Sequence, residues 1–207
     1  MEKAKSVGFN QVVVDVKPIY GEVLYKSKIL PPLTTVNGKV IHRDWDYLQY
    51  FINEARRLGL KVTVSTAMFP SGHPATNEGL VYEESRWDGK TCLEYTPDGK
   101  MLDIREDKKK VGAFLNPVRK DVRKFALSIV REIVKNYDVD AYALDYCRYP
   151  GDDSDFSADS HKAFEHYLGK KVRNFPATAE PFKAWTAPFQ ICLLYTSPSP
   201  RDGLLSR

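Results

Sequence analysis

The sequence predicts an α/β fold that forms part of a (β/α)8 TIM barrel, and three observations lead to this prediction. Strand-like and helix-like segments alternate along the chain, which is typical of a parallel sheet covered by helices. One of these strands, residues 141–145, is a short apolar run that ends in the carboxylate of Asp145. In a barrel of this type the carboxyl ends of the strands carry the chemistry. The chain has 207 residues, whereas a full barrel typically has ~250, so we expect about half of the barrel.

Each predicted element follows from hydrophobic spacing and from turn residues. Short β-branched or apolar runs predict strands, and apolar residues at helical spacing predict helices. The first of the three outer helices is predicted to have Asp44 as its N-cap. A long loop, 19–43, follows the first strand, and an insertion, 71–113, contains a predicted β-hairpin. The predicted sheet has four parallel strands, 11–16, 61–68, 113–116 and 141–145, with helices 45–58, 118–136 and 157–168 on its outer face.

Composition and charge argue against several classes of function. The net charge of +4 is small, and the one dense basic run follows two acids, so we expect no nucleic-acid partner. The three cysteines form no CxxC pair, and we expect neither a metal nor a cofactor. No apolar stretch reaches the ~18 residues of a membrane-spanning helix, so we expect no membrane span. The oligomeric state stays open.

Both ends of the chain look artificial. The residues after Met1 have the pattern of the last turns of a helix, so we interpret Met1 as an internal methionine of a longer protein. Residues 192–202 resemble a translated sequencing adapter, as in a metagenomic fragment, and the alternative is an ordinary Ser/Pro-rich tail. We therefore predict an incomplete barrel over residues 1–187 and a read-through tail over residues 188–207, outside the fold.

Asp145 is the leading candidate for a catalytic carboxylate, and Asp15 is the second. Side chains alternate along a strand, so Asp145 shares a face with the small residues before it, as the crowded interior of a barrel requires. Two carboxylates across a pocket can divide the acid and base work on a glycosidic bond. Each acid also has a structural alternative, which is ion pairing with Arg148 for Asp145 and with Lys17 for Asp15.

Further polar and aromatic residues near the predicted strand ends are candidates for substrate binding. Aromatic rings beside a cation suit sugars, by stacking and by hydrogen bonds to hydroxyl groups, and an amide at a strand end can donate to a substrate. The alternatives are packing beneath the loop for the aromatic residues and the arginine, and turn formation before Pro117 for the amide. The candidates are Tyr146, Arg148, Tyr149, Asn116, Lys17 and Tyr20.

Five blocks stand out in order along the chain, at residues 4–10, 24–28, 54–59, 114–117 and 137–150. Together they resemble the glycosyl-hydrolase-like family 10, a group of (β/α)8 barrels, and most of all its forms from gut bacteria of the Bacteroides group. The resemblance runs from about Met1 to Phe182. It implies hydrolysis of glycans, in some members of peptidoglycan strands, and a secreted or periplasmic location.

The last block carries a motif of that family that begins with an acid and a tyrosine and ends in Tyr-Pro, and it maps onto Asp145, Tyr146, Arg148, Tyr149 and Pro150. Many members have a second Asp where this chain has Leu144, and many have Gln near the position of Asp15. The resemblance therefore leaves the second catalytic carboxylate open.

These observations predict a glycoside hydrolase that cleaves O-glycosidic bonds of a poly- or oligosaccharide, with cell-wall glycan as one candidate substrate. Asp145 is one carboxylate of the expected acid/base pair, and Asp15 or a residue beyond this chain is the other. We expect the chain alone to be inactive. Two alternatives stay open: a carbohydrate-binding barrel that has lost catalysis, and a fragment without function because half of the barrel is absent.

Overall fold

The computed structural model describes residues 1–36, 38–41, 44–96, 98–151, 154–173 and 175. The predicted tail and the boundary at residue 187 lie outside these residues. The helices are α1 (Glu2–Ser6), α2 (Tyr47–Arg57), α3 (Leu80–Glu83), α4 (Lys120–Asn136) and α5 (Ala158–Leu168). The strands are β1 (Gln11–Lys17), β2 (Thr35–Val36), β3 (Lys39–Val40), β4 (Lys61–Ala67), β5 (Leu93–Tyr95), β6 (Met101–Asp103) and β7 (Ala141–Asp145).

The main sheet contains β1, β4 and β7 in that order, and both pairings are parallel. Along the chain, α2 connects β1 to β4 and α4 lies between β4 and β7. The sheet is therefore built from three consecutive β/α units, which confirms the predicted α/β class. The confirmed elements are strands 11–16, 61–68 and 141–145 and helices 45–58, 118–136 and 157–168, each within two residues of its predicted ends.

The core lies between this sheet and the helices on its outer face. Alternate side chains of β1 and β4 point into it, because successive residues of a strand face opposite ways. On the opposite face, Val13 is 62% exposed, whereas Thr63 and Ala67 of the central strand are buried, so this face is open to solvent along its outer strands β1 and β7. The buried contacts across the helix-covered face include Val14, Val62, Val64, Leu48, Ile52, Val122, Ile129 and Ile133.

Helix α2 begins two residues later than predicted. Its N-cap is Asp46, whose side chain accepts the backbone N–H of Gln49 at 3.0 Å, so the prediction of Asp44 is wrong. The other oxygen of Asp46 accepts the hydroxyl of Tyr137 at 2.7 Å. Asp46 is the N-cap in place of Asp44 because its contact with Tyr137 holds its carboxylate at the helix end. Local sequence cannot reveal such a tertiary contact.

The prediction that residues 113–116 form a parallel strand of the sheet is also wrong. These residues are buried, but they run antiparallel to the segment that leaves β4, with bridges from Phe114 to Pro70 and from Leu115 to Thr91. Backbone hydrogen bonds join these residues to the segment 69–71, which follows β4, and to Cys92 of the insertion, so the apolar run does not enter the main sheet as a parallel strand. A short apolar run predicts burial, but it does not identify the partner.

The predicted hairpin is confirmed, since β5 and β6 pair antiparallel. The loop after β1, which in a barrel would lie on the catalytic face, also reaches the outer side of the sheet. Part of it packs against the outer helix α4, where Glu132 accepts the hydroxyl groups of Tyr25 and Ser27 and the backbone N–H of Lys28. A cleft of about 290 Å³ lies between this part of the loop and the start of α2.

Candidate active site

Asp15 and Asp145 lie on the open face of the main sheet. Asp15 pairs with Ser65 of β4, and Asp145 pairs with Ala67 of the same strand. Because alternate residues of a strand share a face, both acids point away from the helices, and both residues are exposed. From strand spacing and rise, their Cα atoms are about 10 Å apart across the sheet and about 7 Å apart along it.

The surroundings of Asp15 favour its protonated form. The residue is open to solvent, but neighbouring protein atoms desolvate its carboxyl group in part, and this raises its pKa. The backbone N–H of Lys17 donates to Asp15 Oδ1 at 3.2 Å, which lowers the pKa. The negative charge of Asp145 raises it and the charge of Lys17 lowers it, and the net result is a raised pKa. The two predicted carboxylates therefore interact electrostatically.

Tyr146 and Arg148 extend the open face beside Asp145. The backbone N–H of Tyr146 donates to Asp145 Oδ1 at 2.8 Å, and Tyr146 has a φ of 46°, which is rare for a tyrosine. The guanidinium group of Arg148 lies 5.1 Å from the centre of the Tyr146 ring, and it donates to two backbone carbonyls of its own loop. Within the described part of the chain, Arg148 forms no ion pair with Asp145, so that structural alternative is not realised.

Lys17 is fully buried at the end of β1, whereas the sequence places it among the substrate-binding candidates. A bulge between Asp15 and Lys17 shifts Lys17 into register with Thr66. The Lys17 ammonium group donates to the carbonyl oxygens of Ala67 and Pro70, and not to the carboxylate of Asp15. Its predicted contact with substrate stays a prediction, but the side chain is closed off from the open face.

Asn116 is likewise buried, and its amide is bound within the protein. Asn116 Nδ2 donates to Asp155 Oδ2 at 2.5 Å and to the hydroxyl of Ser157 at 2.9 Å. The amide of Asn116 is therefore occupied within the protein, and its predicted contact with substrate stays a prediction. Its side-chain oxygen accepts the backbone N–H two residues later, which matches the turn-forming alternative.

Asp155 is a buried acid near the candidate site loop that the sequence prediction missed. It is fully buried, and burial raises its pKa. Its Oδ1 accepts the backbone N–H of Leu93, and its Oδ2 accepts the hydroxyl groups of Ser157 and Ser160 as well as the amide of Asn116. Asp155 therefore fixes the loop after β7, which carries Tyr146 and Arg148. Its place in a polar loop gave no periodic signal.

The two remaining candidates, Tyr149 and Tyr20, are both buried. Tyr149 packs in the main core below the loop, which matches the packing alternative. Tyr20 lies beside His73, with the ring centres 5.6 Å apart. Their roles in substrate binding stay predictions.

Glu22, in the loop after β1, is a second residue that the sequence prediction missed. Partial burial raises its pKa to about 7, and the charges of Glu83 and Glu78 add to this effect. Within the described residues, no three His, Cys, Asp or Glu side chains are grouped so as to hold a metal ion. No helix in the same part of the chain is long and apolar enough to cross a bilayer.

Comparison with known proteins assigns the chain to a family. The sequence model of Glycosyl hydrolase-like 10 matches residues 1–187. The chain belongs to this family. An S-layer-related protein of Niallia circulans is 35% identical to this member over 187 residues, which cover 85% of this chain and 12% of that protein. Glycosyl hydrolase DigH of Escherichia coli (strain K12) is 30% identical over 159 residues, covering 73% of this chain and 34% of DigH.

Solved structures with this fold extend the comparison. Alpha-L-fucosidase isoenzyme 2 from Paenibacillus thiaminolyticus aligns with a TM-score of 0.63 at 18% identity, covering 93% of this chain and 25% of that one. A hypothetical protein from Ruminiclostridium thermocellum aligns with a TM-score of 0.51 at 18% identity, covering 81% and 80%. At this identity the likeness shows the fold alone. The chain spans about a third or less of the length of the curated relatives it matches. Family membership supports a glycosidase-like role.

Proposed function

We propose that this chain supplies catalytic residues to a glycoside hydrolase that cleaves O-glycosidic bonds in a poly- or oligosaccharide. The observation that carries the proposal is the position of Asp15 and Asp145 on one open face, with the charge of Asp145 raising the pKa of Asp15. Cleavage of a glycosidic bond uses two carboxyl groups that differ in proton affinity. The family and the name of the relative DigH support this reading.

The electrostatics favour a division of roles between the two acids. Asp15 has the raised pKa, so in this proposal it acts as the general acid towards the leaving oxygen. Asp145 acts as its partner, either as a base towards water or as a nucleophile. The ring of Tyr146 and the guanidinium group of Arg148 would contact the sugar beside this pair.

The location and extent of the active protein are part of the proposal. We place the protein in the periplasm or outside the cell, which the S-layer-related relative supports. Because the chain spans a third or less of its curated relatives, we propose that full activity needs segments beyond these 207 residues.

The test is hydrolysis of oligosaccharides, including cell-wall glycan strands, by a full-length protein that carries this chain. Asp145→Asn removes the charge and keeps the shape, so we expect a rate loss of ~10³-fold or more with an unchanged circular dichroism spectrum. Asp44→Asn changes an exposed aspartate away from the strand ends, and we expect nearly normal turnover from it. Normal turnover by folded Asp145→Asn protein would refute the assignment. Glycan binding without hydrolysis by the unmodified protein would favour a carbohydrate-binding barrel.

A further inference from the structure

Lys17 is a buried lysine whose Nζ binds backbone carbonyl oxygens. Its side chain has no exposed surface, and Nζ donates to the carbonyl oxygen of Ala67 at 2.5 Å and to that of Pro70 at 2.9 Å. Buried lysines are rare unless an acid pairs with them, because desolvating an ammonium group costs several kcal/mol. Within the residues that the structure describes, no carboxylate forms an ion pair with Lys17. A costly group of this kind, next to two candidate catalytic acids, calls for a role.

We propose that Lys17 is a positioning residue, which holds the strand ends that carry Asp15 and Asp145 and, in its protonated form, acts electrostatically on Asp15. This inference rests on the proposed function, because it assigns the residue to that same site.

The first link runs along β1. The bulge after Asp15 turns the backbone N–H of Lys17 towards Asp15 Oδ1, to which it donates at 3.2 Å. Because the Lys17 side chain is anchored to the end of β4, the backbone donor next to Asp15 is also fixed. The anchor therefore determines where one oxygen of the Asp15 carboxylate lies.

The second link runs through the chain that leaves β4. Lys17 binds the carbonyls of Ala67 and Pro70, and the backbone N–H of Met68, between them, donates to the carbonyl oxygen of Asp145 at 2.8 Å. Ala67 is also the residue that pairs with Asp145 in the sheet. The ammonium group of Lys17 thus holds the segment 67–70, and the end of β7 is hydrogen-bonded to this segment.

The third link is electrostatic. The charges that face Asp15 are those of Lys17 on its own strand and of Asp145 on β7. The phenol of Tyr142 on β7 is also close, and the charge of Asp15 raises the pKa of Tyr142. Burial lowers the pKa of Lys17 to about 7, and the charge of Asp15 raises it. The protonation of each group therefore depends on the other, and loss of the lysine charge should increase the proton affinity of Asp15.

The test is NMR on the 207-residue chain at a concentration where it is monomeric, so that it does not depend on any hydrolytic activity. In Lys17→Met, we expect the proton affinity of Asp15 to rise about threefold or more, which moves the titration midpoint of its carboxyl carbon to higher pH. We also expect the Met68 amide to exchange with solvent about tenfold faster or more. Lys61→Met changes an exposed lysine at the other end of β4, and it should alter neither value.

Unchanged Asp15 titration and unchanged Met68 exchange in folded Lys17→Met protein would overturn the proposal and leave Lys17 as packing alone. If that variant does not fold, the unmodified chain gives the answer, through the titration curves of Lys17 Nζ and the Asp15 carboxyl carbon. Each curve should contain a step at the midpoint of the other group, and curves without such steps would also overturn the proposal. Absence of glycan hydrolysis in the parent protein would refute the proposed function and leave these NMR results intact.

Discussion

Glu22 has an unusual proton affinity for a residue in a loop. Its pKa is raised from 4.5 to about 7 by partial burial and by the charges of Glu83 and Glu78. Because the pKa of the folded state lies above that of the unfolded state, folding favours the protonated form. The contribution of Glu22 to stability is therefore fully present below pH 4.5, and it is lost as the pH rises through 7.

We therefore expect Glu22→Gln to stabilise the fold in a pH-dependent way. At pH 8 its free energy of unfolding should exceed that of the unmodified protein by about 1 to 2 kcal/mol, since solvent screens part of the effect. At pH 4 the two proteins should be equally stable. Urea denaturation at both pH values measures the difference, with Glu106→Gln, at an exposed position, as the control. Equal stabilisation at both pH values would show that the charge of Glu22 is not the cause.

At the scale of single residues, the sequence was informative where side chains alternate along a regular strand. Asp15 and Asp145 share the open face, as the period of two predicts. Lys17 departs from that pattern because a bulge inserts one extra residue before it, and hydrophobic spacing contains no signal for a bulge. Asp155 lies in a polar loop, where only the folded chain brings its donors together.

At the scale of elements, the start of α2 allows a direct comparison of two neighbouring aspartates. We expect Asp46→Ala to lower the free energy of unfolding by about 1 to 3 kcal/mol, because it removes the helix cap and leaves the Tyr137 hydroxyl without its acceptor. Asp44→Ala should change it by less than about 0.5 kcal/mol, as surface substitutions usually do. Thermal denaturation of both variants measures this, and a larger loss from Asp44→Ala would place the cap where the sequence first suggested.

The loop after β7 is the second element for which a measurement is decisive. Asp155→Ala leaves several buried donors unpaired, so we expect a loss of about 3 to 5 kcal/mol. Asn116→Ala removes one of those donors, and the double variant should lose at least about 1 kcal/mol less than the sum of the single losses. Urea denaturation of the three variants gives the coupling. Strict additivity would show that Asn116 and Asp155 act independently.

Regular elements were predictable because each has its own period, whereas the segment with which residues 113–116 pair was not. The three strands of the main sheet and the three long helices follow from hydrophobic spacing. Residues 113–116 have the same apolar character, but they pair with the segment that leaves β4, in the antiparallel direction. The direction and partner of so short a run depend on the path of a long loop, and local sequence does not encode that path.

At the scale of the whole molecule, one face of the main sheet is covered by helices and the other is open to solvent along its outer strands. Val13 is 62% exposed on the open face, beside the unpaired edge of β1 in the described structure. Exposed apolar surface on an edge strand favours association with other chains. We expect the chain to self-associate weakly as its concentration rises, and Val13→Thr to weaken this association at least about threefold with little change in stability. Sedimentation equilibrium measures the association, and an unchanged constant would exclude this face as the contact.

The order of the main sheet has a consequence for how the protein is made. In the main sheet β4 pairs with β1 and β7 pairs with β4, so each strand pairs with the main-sheet strand that precedes it in the chain. Contacts between units that are neighbours along the chain form faster than contacts between units that are far apart in sequence. A ribosome therefore delivers each strand to a neighbour that has already emerged, and the units can add one at a time during translation. In such an assembly Asp15 is in place first and Asp145 last, so the candidate carboxylate pair is complete only when the third unit has docked.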